Sequence, residues 1–344
     1  MMTGARIELT PATVAAYLHG REVLPAGADP SVRLLGGGVS NTVLSVRWGG
    51  DCLVLKQPLS NLAVEDDWPA DVSRVHNEAA AVRVFGRLLR AADLDAVSVP
   101  GVRLEDERDH VIGLECIPDR ATTWKAELLE GRVDTSTASS LGRALGVVHA
   151  RAAEDPDVRD RFDDPAPFEQ LRLDPYHRTV AERHPELAEP VLAEVERVAS
   201  VDLTLVHGDY SPKNVLVDRA GDEPASWLID FEAAHVGDPA FDVAFMANHL
   251  FIKALHVADR RAALLEAATT FWDAYRERVP WDVERAVVAE LGVLVLARID
   301  GKSPVEYVED GPVATAMRRV GSRTLRGDAD SFAEYSALVQ EEAP

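Results

Sequence analysis

Between Val206 and Asp242 the chain reads VHGDYSPKNVLVDRAGDEPASWLIDFEAAHVGDPAFD. Asp209 and Asn214 flank a turn containing Pro212, just ahead of an apolar run, and Asp230 closes a second run. Phosphoryl transfer asks for such a set. It needs one carboxylate facing an acceptor hydroxyl and oxygen ligands holding magnesium against phosphates, with little covalent help from the protein. Asp209 is the candidate for the first task. Asn214 and Asp230 suit the second, because magnesium prefers carboxylate and amide oxygens and keeps several waters. Glu232 is a further candidate ligand.

These groups meet only if the chain between them folds back. Val215 to Val217 reads as a short buried strand, DRAGDEP as a turn and WLID as the returning strand, so a hairpin would bring Asp230 beside Asp209 and Asn214. Upstream, LLGGGVSNTVLSVRW sets a glycine cluster between two strand-like runs. Gly36, Gly37 and Gly38, followed by Ser40 and Asn41, would let backbone amides approach nucleotide phosphates. DCLVLKQ is a strand carrying Lys56, one of only five lysines (Lys56, Lys125, Lys213, Lys253 and Lys302). Its ammonium could meet phosphates as a point charge. SRVHNEAAAVRVFGRLLR has apolar residues at helical spacing. Glu78, in its first turns, could pair with Lys56, with a solvated helix face as the alternative. LECIP, from Leu114 to Pro118, is a further strand-like run.

HGDYSPKN followed by LIDFEAAHVGDPAFDVA resembles the catalytic and metal-binding loops of the aminoglycoside phosphotransferase and choline kinase superfamily. The resemblance implies an α+β, bilobal, protein-kinase-like fold, with a small antiparallel sheet lobe carrying one key helix and a larger, mainly helical lobe. It implies ATP and Mg2+ as cofactors, Asp209 as catalytic base, Asn214 and Asp230 as magnesium ligands, and Asp242 as the prop of the catalytic loop. It also implies that LECIP is the hinge strand beside adenine, with Glu115 and Ile117 at the base. Within the superfamily the pattern is similar to methylthioribose kinase in GGGVSNTVLSV, in LVLKQPL followed by DDWP, and in the D-x-E of Asp230 and Glu232, which implies Glu232 as a ligand. It departs in having HGDYSPKN for HGDLHTGS. Paired arginines expected near the C-terminus are replaced by ARIDGKSPVEY, whose Arg298 is a substrate candidate and otherwise a helix-end or surface residue.

With 58 Asp and Glu against 36 Lys and Arg, the formal charge is -22, which argues against a nucleic-acid partner. Magnesium and Lys56 would set the local field at ATP. The acidic surplus resembles the proteome of a salt-loving organism, a hypothesis that salt-insensitive stability would sink. No apolar run reaches bilayer length and no signal-peptide core opens the chain, so the expectation is a soluble cytoplasmic protein without a membrane partner. Cys52 and Cys116 lie in apolar strand contexts and read as buried free thiols kept in a reducing compartment.

Residues 1–118 read as a nucleotide-binding lobe and residues 119–344 as a lobe with the catalytic loop and substrate pocket. Thr137 to Ala152 is a helix, residues 164–190 a proline-broken loop with short helices, and helices follow at 243–256, 260–278 and 283–298. The short stretch between Asp230 and GDPAFD, with no APE motif, excludes a protein kinase. The acceptor is then a small hydroxylated molecule, with a sugar-like metabolite first. Choline or another amino alcohol comes second, using Trp272, Tyr275, Trp281 or Tyr307 as an aromatic cage, and an aminoglycoside third. A nucleotide-binding pseudokinase with a regulatory role is the non-enzymatic alternative, disfavoured by the complete set of Lys56, Asp209, Asn214 and Asp230. Oligomeric state is left open, a homodimer included.

Overall fold

The computed structural model describes residues 6–36, 40–63, 68–221 and 224–344. The candidates Gly37 and Gly38 lie outside the described residues. Helix α1 (Val14–Gly20) precedes strands β1 (Ser31–Leu34), β2 (Asn41–Trp48) and β3 (Asp51–Pro58), and helix α2 (Arg74–Arg90) follows. Strands β4 (Val97–Ser98), β5 (Val102–Asp106) and β6 (Val111–Glu115) complete this part. Five of the strands form an antiparallel sheet in the order β1-β2-β3-β6-β5. Alternation along β3 sorts its side chains onto two faces. Leu53 and Leu55 join Leu44, Val46 and Val111 against Val14 and Leu18 of α1, whereas Val54 packs on the side where Val75 and Ala79 of α2 meet Ile112 and Leu114. Lys56 shares the parity of Val54, and so its ammonium reaches α2.

The two cysteines correct the free-thiol expectation. Cys52 and Cys116 form a disulfide with Cα atoms 5.7 Å apart, and no free cysteine remains. Strand register explains the pairing. Leu53 of β3 lies opposite Glu115 of β6, so the residue before one and the residue after the other are neighbours within bridging distance. The bond removes the argument for a reducing compartment that rested on two thiols. No helix among the described residues is long and apolar enough to cross a membrane.

Beyond β6 the chain is mainly helical. Strand β7 (Thr122–Thr123) leads into α3 (Trp124–Leu129), α4 (Thr135–Ala153), α5 (Pro156–Arg161) and α6 (Ala166–Phe168). The next segment differs from the expected loop. Residues Glu169–Arg178 form a wide π-helix with Pro175 inside, and α7 (Thr179–Arg183) extends it. Pro175 lacks an N–H, which an irregular helix loses least by, and its carbonyl accepts from the Lys302 amide at 3.3 Å. Buried Phe168, Leu171, Leu173, Tyr176 and Val180 hold the segment to the core, so packing overrides the proline signal. Helix α8 (Ala188–Ala199) follows.

Strands β8 (Thr204–Val206), β9 (Val215–Asp218), β10 (Ala225–Leu228) and β11 (His235–Gly237) build the expected hairpin region, in sheets of order β4-β10-β9-β7 and β11-β8. A lobe boundary after Pro118, which we propose, falls between β6 and β7, yet β4 pairs in parallel with β10. Five helices close the molecule: α9 (Pro239–His256), α10 (Arg261–Arg276), α11 (Glu284–Asp300), α12 (Pro312–Leu325) and α13 (Phe332–Glu342). Every residue from Pro239 to Leu255 is buried, as an all-round apolar helix requires. Helices α4 and α10 touch at Gly142, where a Cβ would stand 2.2 Å from the Phe271 carbonyl oxygen.

Candidate active site

The loop between β8 and β9 carries Asp209, and its shape is fixed from behind. Asp242, in the first turn of α9, accepts from the amides of His207 at 2.6 Å and Gly208 at 2.9 Å, the role as prop that the resemblance implied. Gly208 has φ +74°, and a Cβ there would come within 2.5 Å of the Ala233 carbonyl oxygen. No other residue fits this turn. The Asp209 amide donates to His207 Nδ1 at 3.2 Å. Burial pushes the His207 imidazole down, so it stays neutral and can accept. Asp209 is itself 3% exposed. Its Oδ2 meets Arg172 Nη2 at 2.9 Å and Lys213 Nζ at 3.0 Å, whereas its Oδ1 is buried without a partner.

The hairpin brings Asp230 back as the sequence spacing implied. Val215 pairs with Leu228, and the Ile229 amide donates to the Asn214 carbonyl at 3.0 Å, so Asn214 and Asp230 sit at the same end. Asp230 has φ +72°, a left-handed conformation that costs a non-glycine residue energy and clusters at functional positions. Lys56 Nζ donates to Glu78 Oε1 at 2.6 Å and to Asp230 Oδ1 at 2.8 Å. Burial alone would lower the Lys56 pKa, but Asp230 and Glu78 outweigh it and hold the ammonium charged. Burial pushes the Glu78 carboxyl up against the pull of Lys56. Burial acts on Asp230 in the same sense, yet Lys56 and Lys213 outweigh it and hold that carboxyl well below the usual range.

Glu232 and Asn41 are brought together with a residue that sequence reasoning missed. Arg74 Nε donates to Glu232 Oε2 at 2.9 Å, and Asn41 Nδ2 donates to the same oxygen at 3.0 Å. Arg74 also donates to the Ser40 carbonyl at 2.7 Å, tying the end of the glycine loop to α2. Ser40 Oγ accepts from Asn41 Nδ2 at 3.0 Å, while Gly36 is exposed, with nothing within 4 Å of a Cβ built there. The donor set suits magnesium. Asn214 uses its Nδ2 on the Asp209 carbonyl at 3.0 Å, leaving the amide oxygen. Glu232 uses Oε2 alone in these bonds. Among the described residues no group of three or more His, Cys, Asp or Glu is gathered as a metal cage.

A cavity of about 230 Å³ opens beside these groups, walled by Val43, Val54, Lys56, Leu114, Leu216 and Ile229. Glu115 and Ile117 line it, and so does Cys116 of the disulfide. Its walls are mainly apolar, with Lys56, Arg33, Arg47, Glu115 and Asp119 as the charged groups among them, a lining that suits a flat heteroaromatic ligand.

Residues 31–281 match the Phosphotransferase enzyme family (APH). The chain belongs to this family. It is a small-molecule phosphotransferase with an alcohol group as acceptor, and the likeness to the aminoglycoside phosphotransferase and choline kinase superfamily holds at that level. Among solved structures it is similar in fold to the ethanolamine kinase of Plasmodium vivax, at 10% identity, with 96% of this chain and 87% of that chain covered and a TM-score of 0.51. It is also similar to a microcompartment-associated aminopropanol kinase, at 16% identity, with 96% and 97% covered and a TM-score of 0.53. A search of curated proteins returned no significant match.

On the acceptor side this phosphotransferase carries more than the sequence disclosed. Arg172, from the π-helix, donates through Nε to the Gly208 carbonyl at 2.7 Å besides holding Asp209. Its guanidinium lies 5.6 Å from the Tyr176 ring centroid. Arg298 is not a surface residue: it is 7% exposed, stacks 5.7 Å from the same ring and donates to the Tyr176 hydroxyl at 3.1 Å. Of the suggested cage aromatics, Trp272 and Tyr275 belong to the buried core, and Trp281 donates to the Tyr275 hydroxyl at 3.4 Å. Tyr307 packs against the core, and the side-chain nitrogens of Lys253 and Lys125 face its ring at 5.1 and 6.0 Å.

Proposed function

We propose that the protein is an ATP-dependent kinase that transfers the γ-phosphoryl group in line to a hydroxyl of a small sugar-like metabolite. The observation that carries this reading is the pair of differently held carboxylates: Asp230 on Lys56, and Asp209 with one oxygen fixed by Arg172 and Lys213 and the other unpartnered. That free oxygen suits a substrate hydroxyl, which Asp209 would orient and relieve of its proton as the bond to phosphorus forms. Lys56, fixed by Glu78, would position nucleotide phosphates, and Lys213 would offset negative charge on the group in transit. Asn214, Asp230 and Glu232 would hold magnesium, which when bound neutralises phosphate charge.

The methylthioribose likeness gains no support from the family match, which reaches only to phosphotransferase. An amino-alcohol acceptor loses its cage, because protein ammonium groups occupy the Tyr307 face. The pseudokinase reading is opposed by the intact ion pairs of Lys56. The test is ATP consumption across methylthioribose, ribose, choline, homoserine and kanamycin with wild type, Asp209→Asn and Asp230→Ala. A loss of about 10²–10⁴-fold in kcat with unchanged circular dichroism is expected for Asp209→Asn. Full activity in either variant would end the kinase reading.

A further inference from the structure

Lysine is scarce in this acidic chain, and four of its five lysines stand on the site's carboxylates or on one tyrosine: Lys56 on Glu78 and Asp230, Lys213 on Asp209, and Lys125 and Lys253 over Tyr307. Arg172 and Arg298 flank Tyr176. On the acceptor side these cations outnumber their counter-charges. Asp209 pairs with Arg172 and Lys213, and Glu306 pairs with Lys125. Among the described residues Arg298 and Lys253 have no carboxylate partner. Arg298 Nη1 donates to the Tyr176 hydroxyl at 3.1 Å, to the Ser303 hydroxyl at 2.9 Å and to the Ser303 carbonyl, while its Nε is buried without a partner; Lys253 donates to the His249 carbonyl at 3.2 Å and the Tyr307 hydroxyl at 3.3 Å.

Burial without a counter-charge disfavours the charged form of such a group, and a bound anion would favour it. Neither residue serves the nucleotide cavity, whose walls take nothing from α9 or α11. A cationic acceptor would meet like charge here, and the two tyrosine faces that could receive it are covered by protein cations.

We propose that the acceptor carries an oxyanion, a carboxylate or a phosphate, seated on Arg298 with Lys253 reinforcing the field from beneath Tyr307. This rests on the kinase reading and specifies its substrate class. Lys253 bears the mark of the missing counter-charge: burial first, then Lys125 and Arg298, lower its pKa from 10.5 to about 7.

The test uses a matched three-carbon series: glycerol, D-glycerate, glycerol 3-phosphate and 3-aminopropane-1,2-diol. Each is added at millimolar concentration to the full-length protein holding magnesium and a non-hydrolysable ATP analogue. The same compounds are then assayed as acceptors or competing ligands with ATP. Glycerate or glycerol 3-phosphate is expected to raise the melting temperature, with glycerol and the amine inert, and whichever acid acts tells carboxylate from phosphate. Arg298→Met should weaken binding of that acid at least about tenfold and leave the KM for ATP unchanged. Lys253→Met should weaken it too while raising the melting temperature of the free protein, which a merely structural lysine would not do. Preference for the neutral or cationic member, no shift by either acid, or equal acid binding in Arg298→Met overturns the proposal. Absence of nucleotide binding, or unchanged turnover in Asp209→Asn, instead overturns the kinase reading beneath it.

Discussion

Arg172 is the residue on which the acceptor side turns, because it holds the Asp209 carboxylate and the Gly208 carbonyl at once. Arg172→Met should lower kcat by about 10- to 100-fold, the factor equivalent to losing a charge-assisted hydrogen bond. The KM for ATP should not move, and steady-state kinetics with any accepted hydroxyl compound would check both. Lys253 offers a pH test. It is faced by Lys125 from α3, Arg298 from α11, Glu306 and Tyr307 from the following loop, and His249 on its own helix. Unfolding lets it take up a proton between pH 7 and 10.5, so its penalty on stability is full below pH 7 and fades as pH rises to 10.5. The melting advantage of Lys253→Met should therefore be largest below pH 7 and shrink through that window. Lys56 and Glu78 were legible from sequence because strand and helix spacing fix their directions, and Asp209 and Asp230 because the loops that carry them flank the strands of a readable hairpin. Arg74, Arg172 and Lys253 were not. Each acts on a residue far along the chain or at a place that no spacing encodes.

The elements were legible where hydrophobic period was clean. The hairpin from Val215 to Leu228, the sheet strands and helices α4, α9, α10 and α11 follow from alternation or helical spacing. The segment from Ala166 to Arg183 was not, since Pro175 and its neighbours signal a loop while long-range burial of Leu171, Leu173 and Tyr176 makes it helical. That segment delivers Arg172 and Tyr176, so the error in the element became a gap in the site. At the α4 and α10 crossing, Gly142→Val should cost about 1–3 kcal/mol or more, because the clash is with backbone that cannot rotate away. Urea unfolding would read the loss, and α10 is expected to be displaced with activity falling in proportion.

For the whole molecule, fold class and family were legible, but the disulfide was not. Its two cysteines are 64 residues apart and become neighbours only through the register of β3 and β6. A loop of that length predicts a stabilisation of about 4 kcal/mol in the chain-entropy treatment. Cys52→Ser with Cys116→Ser should lose most of it in guanidinium unfolding, and wild type in reducing agent should match the double variant. The mixed membership of the four-stranded sheet has a mechanical consequence. Strand β4 enters the hairpin sheet from one side and β7 from the other, and the chain returns to the five-stranded sheet between them. The backbone thus crosses between the two sheets three times. Three crossings tether the two sheets, so neither can move farther from the other than those connections reach. The 2.8 Å contact of Lys56 with Asp230 joins the same two parts, so an ion pair closes what the three strand-to-strand connections already tether.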